Sequence, residues 1–253
     1  MISVVILTKN EEKNIIDCLE SVIWVDEIII VDDYSSDRTL EVVKNLKQDK
    51  IKVYKRLLNE DFASQKNFGL SKVTKEWVFF LDADERVSGN LREEINSLLI
   101  DDVKNKRYNA YCVQRKDYMW GKKLGHGESG NIKLVRLGRK NAGAWVGKVH
   151  ESWIVDGGVG ELDNYLIHYP HPTISEFLEE INFYTTIRAK ELTAIGNKPT
   201  ILQVFAYPTA KFFLNFIFKL GFLDGIEGLI FAILMSFHSF LVRAKLWVYL
   251  KNQ

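Results

Sequence analysis

The feature that most constrains this chain is an apolar run that ends abruptly in acids, and it occurs twice near the N-terminus. Ile28-Ile29-Ile30-Val31 leads into Asp32-Asp33, and Trp77-Val78-Phe79-Phe80-Leu81 leads into Asp82-Ala83-Asp84-Glu85. A continuous β-branched and aromatic run reads as a strand buried on both faces. Carboxylates that follow at once cannot share that burial, so they mark the strand's exit at a polar edge. Residues 2–7 form a similar run ending in Thr8-Lys9-Asn10-Glu11-Glu12, and residues 51–54 a shorter one. Helical periodicity separates them. Asn10 is placed to cap a helix burying Ile15, Ile16, Leu19, Val22 and Ile23, and Asp37 one burying Leu40, Val42, Val43 and Leu46. Residues 62–71 and 91–100 read as two more helices. This βαβαβαβα order predicts an α/β fold, a mostly parallel Rossmann-like sheet with flanking helices. Ligands of such sheets bind outside the carboxyl ends of the strands, where these acids lie.

The pattern then changes. Residues 105–170 are richer in glycine and aromatics, with strand-like pieces at 108–114, 132–136 and 165–169. Pro170 and Pro172 mark a boundary, after which Thr173 or Ser175 starts a helix over 177–193. The expected division is therefore an α/β domain over 1–170, in two parts over 1–100 and 101–170, and a helical region over 171–253. Residues 201–250 hold twelve aromatics and six charged residues, and their longest uncharged stretch, 228–242, has 15 residues. A spanning helix needs about 20 apolar residues. Amphipathic helices lying on a membrane surface fit better, with Lys211, Lys219, Arg243, Lys245 and Lys251 outnumbering Asp224 and Glu227. A cap on the core, or a homo-oligomer contact, is the alternative.

Composition closes several other routes. Thirty-four Lys and Arg against 33 Asp and Glu give a net charge of +1, which argues against nucleic acid as a partner. Cys18 and Cys112 share no spacing with other ligands, which excludes a disulfide scaffold and a cysteine zinc site and fits a reducing compartment. The N-terminus has no basic region and no small-residue cleavage site, so a cytoplasmic location is expected.

The acids suggest specific chemistry. Asp82 and Asp84 are one residue apart and project to the same side of an extended chain, where they can share a divalent cation. Hard oxygen ligands select Mg2+ or Mn2+, which keep positions for phosphate and water. A carboxylate in the Asp32-Asp33 pair can accept from a ribose hydroxyl or a base N–H. The segment Thr8-Lys9-Asn10-Glu11 runs where a loop would pass the base and ribose. Lys66, in Gln65-Lys66-Asn67, can meet a diphosphate as a point charge.

In this order and spacing, Thr8-Lys9-Asn10-Glu11-Glu12, Val31-Asp32-Asp33-Tyr34-Ser35-Ser36-Asp37, Gln65-Lys66-Asn67 and Leu81-Asp82-Ala83-Asp84-Glu85 resemble the family 2 glycosyltransferases of the GT-A fold. Downstream, Gly147-Lys148-Val149-His150-Glu151, His168-Tyr169-Pro170-His171-Pro172 and Gly221-Phe222-Leu223-Asp224-Gly225 resemble the branch that builds lipopolysaccharide core, which includes β-1,4-glucosyltransferases acting on inner-core heptose. The resemblance implies a nucleotide pocket lined by Thr8, Asn10 and Glu11, with Asp32 on the base or ribose and Asp33 beside it. It implies Asp84 as the main metal ligand and Asp82 facing the ribose or the metal. It further implies an inverting enzyme with a UDP-sugar donor, UDP-glucose first and UDP-galactose or a UDP-amino sugar next. The acceptor would be a glycolipid or glycan, and the enzyme would sit peripherally on the cytoplasmic face of the inner membrane.

Single displacement needs a base for the acceptor hydroxyl. Many relatives carry it in a Glu-Asp pair after the metal motif, whereas here Glu60-Asp61 precedes it. Glu151 is the candidate, with Asp117 and Glu128 as alternatives. His150 or His168 could complete a metal shell. Trp120 and Trp145 could stack on a sugar or pack in the core. A nucleotidyltransferase would show glycines in the loop after the first strand, whereas Thr8-Lys9-Asn10-Glu11 has none. A receiver module would end that strand directly in an acidic pair and have about half this length, whereas here the strand runs into Thr8-Lys9-Asn10 in a chain of 253 residues. An inactive docking scaffold is the remaining rival, against which Asp82 and Asp84 stand intact.

Overall fold

The computed structural model describes residues 1–102, 107–148 and 151–251. These fall into two compact units, Met1–Arg115 with Lys133–His168, and Lys116–Ile132 with Tyr169–Gln253. In chain order the elements are β1 (Ile2–Thr8), α1 (Ile15–Ser21), β2 (Glu27–Asp32), α2 (Thr39–Asn45), β3 (Ile51–Lys55), α3 (Phe62–Lys72), β4 (Trp77–Asp82), β5 (Glu85–Val87) and α4 (Gly89–Asp102). There follow β6 (Ala110–Met119), β7 (Lys122–Lys123), β8 (Ile132–Arg139), β9 (Gly143–Val146), β10 (Ser152–Val155) and β11 (Val159–His168). The chain continues with α5 (Ile174–Ala194), α6 (Ile201–Phe213) and α7 (Gly225–Lys251).

In the first unit the main sheet runs β3-β2-β1-β4-β8-β6-β11-β5. The pairs among β3, β2, β1 and β4 are parallel, while β8 runs antiparallel to β4, and β5 to β11. The period-two alternation of strand side chains splits the core in two. Val4, Ile6, Ile28, Ile30, Phe79 and Leu81 pack on one face with Leu19 of α1 and Leu91 of α4. Val5, Ile29, Val31, Val78 and Phe80 pack on the other with Ala63 of α3, Trp145 of β9 and Trp153 of β10. Both faces are covered, which is why these strands read as continuous apolar runs. Gly69 lets α3 press onto the sheet, since a Cβ there would stand 2.5 Å from Val5 Cγ1.

Burial at the start of β2 includes an acid. Glu27 is 2% exposed and accepts from Ser3 Oγ (2.6 Å), Thr74 N–H (2.8 Å) and Lys52 Nζ (2.8 Å), which ties three strands together. Burial pushes its carboxyl up, but the bonds from Lys52, Ser3 and Thr74 outweigh that and hold it at about 2.

Two capping expectations move. The first helix starts after Asn14, because Asn10 adopts a left-handed backbone (φ 56°) and turns its Oδ1 to the Ser36 N–H. Asp37 accepts from Thr39 N–H at 3.0 Å and from its hydroxyl, one residue ahead of the N-cap at Arg38. β5, β7, β9 and β10 are two to four residues long, too short to show a period in sequence.

In the second unit Met119, Leu124, Phe177, Ile181, Phe231 and Leu234 form the core. Thr173 caps α5 in a reciprocal box with Glu176, and Thr200 caps α6 with Gln203. α6 passes into a π-helical turn at Leu214–Phe218, and a 3-10 turn at Gly221–Asp224 leads into α7.

Candidate active site

Ladder register builds the site. Thr8 of β1 pairs with Asp32 of β2, and Leu7 of β1 with Asp82 of β4, so three adjacent parallel strands end level. The loops after β1 and β2 are laced together by side chains bonding to backbone. Asn10 N–H donates to Ser35 Oγ (2.9 Å), Glu11 N–H to Thr39 Oγ1 (2.8 Å) and Glu12 N–H to Asp37 Oδ2 (3.0 Å). Tyr34 is also left-handed (φ 53°) and stands 52% exposed beside these loops. A bulky residue there costs about 1–3 kcal/mol and persists where surrounding bonds fix it.

The acids of the second strand end are already engaged. Asp32 is fully buried and accepts from Ser35 N–H (3.0 Å) and Ser35 Oγ (2.5 Å). Asp33 accepts from Leu58 N–H at 2.9 Å and pairs with Lys9 at 3.3 Å. Thr8 is 4% exposed, and its buried Oγ1 has no hydrogen-bond partner among the described residues.

The densest charge lies at the end of β4. Asp82 receives Arg136 Nη2 of β8 at 2.5 Å on Oδ2, and Lys66 Nζ of α3 lies 3.9 Å from Oδ1. Arg136 Nη2 also donates to Glu85 Oε1 at 3.2 Å, and Glu85 Oε2 accepts the Asp82 N–H at 2.9 Å. Burial would raise the Asp82 carboxyl, but Arg136 and then Lys66 hold it well below the usual range. For Glu85 burial prevails over Arg136 and the carboxyl is pushed up. Cys18 lies buried beneath, its thiol 3.6 Å from the Asp82 carbonyl and pushed up by burial.

Pairing of β5 with β11 places His168 opposite Glu85 in the ladder. His168 Nε2 thereby comes 3.1 Å from Asp84 Oδ2. Burial opposes ionisation of Asp84, but His168 lowers its carboxyl overall. Asp84 and His168 thus meet, while Asp82 is committed to cations. His150 lies outside the described residues. Among those described, no three His, Cys, Asp or Glu side chains converge as a metal shell.

Glu151 joins the same cluster, its Oε1 accepting from Lys66 Nζ at 2.5 Å. Lys66 is 3% exposed and lies 4.4 Å above the Trp145 ring. Trp145 stacks on Trp153 (5.7 Å, 19°) and is 5% exposed, so it packs in the core. Asp117, Glu128 and Trp120 belong to the second unit, where Asp117 is buried, Glu128 pairs with Lys211, and Trp120 packs on Phe177. Sequence reasoning missed Arg136 and Glu85. Arg136 sits in the strand-like run Ile132-Lys133-Leu134-Val135-Arg136, and an arginine in an apolar strand signals a buried acid partner.

Comparison with known proteins gives the family and the fold. Residues 3–149 match Glycosyl transferase family 2. The chain is 30% identical over 258 aligned positions to the lipopolysaccharide core biosynthesis glycosyltransferase LpsC of Rhizobium meliloti (strain 1021), covering 97% of this chain and 92% of that one. It is 29% identical to an uncharacterized glycosyltransferase of Rickettsia typhi, covering 97% and 86% of the two chains. The crystal structure of S. aureus TarS residues 1–349 shares the fold, with a TM-score of 0.50, 14% identity, and coverage of 100% and 92%. The chain belongs to Glycosyl transferase family 2, has the GT-A fold and is a glycosyltransferase.

Proposed function

We propose that this enzyme moves a sugar, glucose first among candidates, from a UDP-sugar to lipopolysaccharide core or a related cell-surface glycan, with inversion and in one displacement. The observation that carries the reading is the chain Glu151–Lys66–Asp82–Arg136 at the carboxyl ends of the strands, with Asp84 and His168 beside it. The kinship with LpsC supports the acceptor class. The site is placed at the cytoplasmic face of the inner membrane, where a glycolipid acceptor is within reach. The apolar C-terminal helices support that placement.

Asp84 and His168 bring a carboxylate oxygen and an imidazole nitrogen together at a polar edge, with 26% of the Asp84 side chain exposed. The Asp84 carboxylate suits Mg2+ or Mn2+, and the His168 nitrogen suits Mn2+ of the two; either ion would fill its remaining positions with phosphate oxygens and water. Such an ion supplies Lewis acidity to the leaving diphosphate. The other roles fall to the protein. The laced loops carrying Thr8, Asn10, Glu11, Asp32 and Asp33 line the nucleotide, with Asp32 holding the loop backbone and the orphaned Thr8 hydroxyl available for a ligand. Glu151 accepts the proton of the acceptor hydroxyl. As its carboxylate is neutralised, the Lys66 ammonium loses its closest partner, and its charge is left for the departing diphosphate. Arg136 keeps Asp82 in place throughout.

A nucleotide-sugar panel with purified protein and manganese tests the reading, followed by thermal stabilisation and slow nucleotide release. Stabilisation by one UDP-sugar, lost with EDTA and in Asp84→Ala, is expected. Asp84→Ala should lower kcat by about 1,000-fold or more, the scale of removing a main electrostatic stabiliser, with the melting temperature kept. Near-normal turnover in that variant would sink the metal role.

A further inference from the structure

α6 is built inside out. Its outward side carries Leu202, Phe205 and Phe213, and Ile217 follows in the π turn, with Phe205 68% exposed. Not one residue of α6 is buried. Two polar side chains on these turns, Lys211 and Asn215, point the other way. Asn215 is 1% exposed, accepts the Glu128 N–H (2.8 Å) and donates to the Lys211 carbonyl (3.1 Å). Lys211 pairs with Glu128. A helix facing water shows the reverse order.

The charges of α7 and of the turn before it follow the same rule. Asp224 is 5% exposed and accepts from His126 N–H (2.8 Å) and Gly125 N–H (3.2 Å). Glu227 lies 3.5 Å from Lys122 Nζ. Arg243 stacks 3.8 Å over the Tyr207 ring and donates to the Ser239 carbonyl. Lys245 donates to Asn182, Thr185 and Thr186 of α5. Ile233 and Phe237 stay exposed on its outer side.

From this polarity we propose that the α6–α7 pair lies in the plane of a bilayer with the α6 face sunk into the acyl boundary, and that it does not cross. By length and composition alone both Ile201–Phe218 and Gly221–Lys251 could cross a membrane. Crossing would carry the charged segment bound at the turn, with Lys122, His126 and Glu128, through about 30 Å of hydrocarbon. An in-plane pair leaves that segment and α5 in water. The occupant is an anionic lipid surface rather than a second copy of this chain. Asp224 and Glu227 are turned inward and paired, whereas Lys198, Lys219 and Lys251, at the ends of the pair, are exposed cations. The inference rests on placing the enzyme at a membrane, and not on its donor or acceptor.

Flotation of the full-length protein tests it, with vesicles of phosphatidylethanolamine and phosphatidylglycerol against phosphatidylcholine alone. The wild type should float with both, more with the anionic mixture, and resist a salt wash. The triple variant Phe205→Glu, Phe213→Glu, Ile217→Glu should float at least about tenfold less, while circular dichroism and UDP-sugar stabilisation are retained. In a Cys18→Ser, Cys112→Ser background, Lys219→Cys should be labelled from outside sealed vesicles by an impermeant maleimide. Protection of that cysteine would mean crossing and overturn the in-plane arrangement. Release by salt, or unchanged flotation of the triple variant, would overturn the immersed α6 face. A wild type that sediments as a dimer, does not float and becomes monomeric in the triple variant would replace lipid with a second copy. In each of these outcomes, persisting UDP-sugar stabilisation would leave the proposed reaction standing.

Discussion

Buried charge is arranged in opposite ways in the two units. At the strand ends of the first unit, Asp82, Glu85, Arg136, Lys66 and Glu151 are held against one another, while the outer parts of Asp82 and Asp84 stay open. In the second unit Asp224, Lys211 and Lys245 are turned inward, and large apolar side chains take the outside. The first arrangement suits a site that must stabilise charge as it develops, because fixed dipoles and ions act strongly where water is scarce. The second suits a surface whose surroundings are less polar than water. Composition alone cannot separate the two, since both regions mix apolar runs with a few charges.

The comparison can be broken most sharply at Arg136. Arg136→Met leaves Asp82 and Glu85 buried without their shared cation, and should cost about 3–5 kcal/mol in urea unfolding. Adding Glu85→Gln should return part of that loss, because one of the two orphaned charges is then gone; an additive double variant would show that the network is not coupled.

Glu27 sharpens the same point through pH. Glu27→Gln should cost about 1.5–3 kcal/mol at neutral pH by weakening charged hydrogen bonds. The folded carboxyl at about 2 lies below its ordinary 4.5. Its contribution is therefore present above pH 4.5 and is lost as the pH falls towards 2. The gap between wild type and variant should close over that window in acid-unfolding curves, and a constant gap would mean that the charge is not the cause.

In the second unit the counterpart is Asn215. Asn215→Leu strands the Glu128 N–H and should cost about 1–3 kcal/mol, read as a lower melting temperature in detergent. A gain in stability would show that the inward polar side is not needed. The smallest effect is expected at Thr173→Ala, which removes the capping box of α5 and should cost about 1 kcal/mol in the same assay. The cap lies outside both charge networks, so its loss should leave kcat unchanged.

Much of the fold was legible because its signals are local. Apolar runs at residues 28–31 and 77–81, a change of period between them and acids at their ends determine a parallel α/β sheet and the edge at which the candidate site lies. The Asp82-Ala83-Asp84 motif, the Asp32-Asp33 pair and the start of α5 at Thr173 are likewise short-range patterns. Only the tertiary structure decided what those acids hold. Arg136 reaches Asp82 across 54 residues, His168 reaches Asp84 across 84, and Lys66 reaches Glu151 across 85. Each of these meetings is set by strand order and register, which no local period encodes. The same holds for α6. Its sequence is apolar all round apart from Gln203, Thr209 and Lys211, and only packing against Glu128 decides that Lys211, and Asn215 just beyond the helix, point inward. Local sequence fixes which groups a segment carries, and the partners that desolvate them are brought from elsewhere in the chain by the fold.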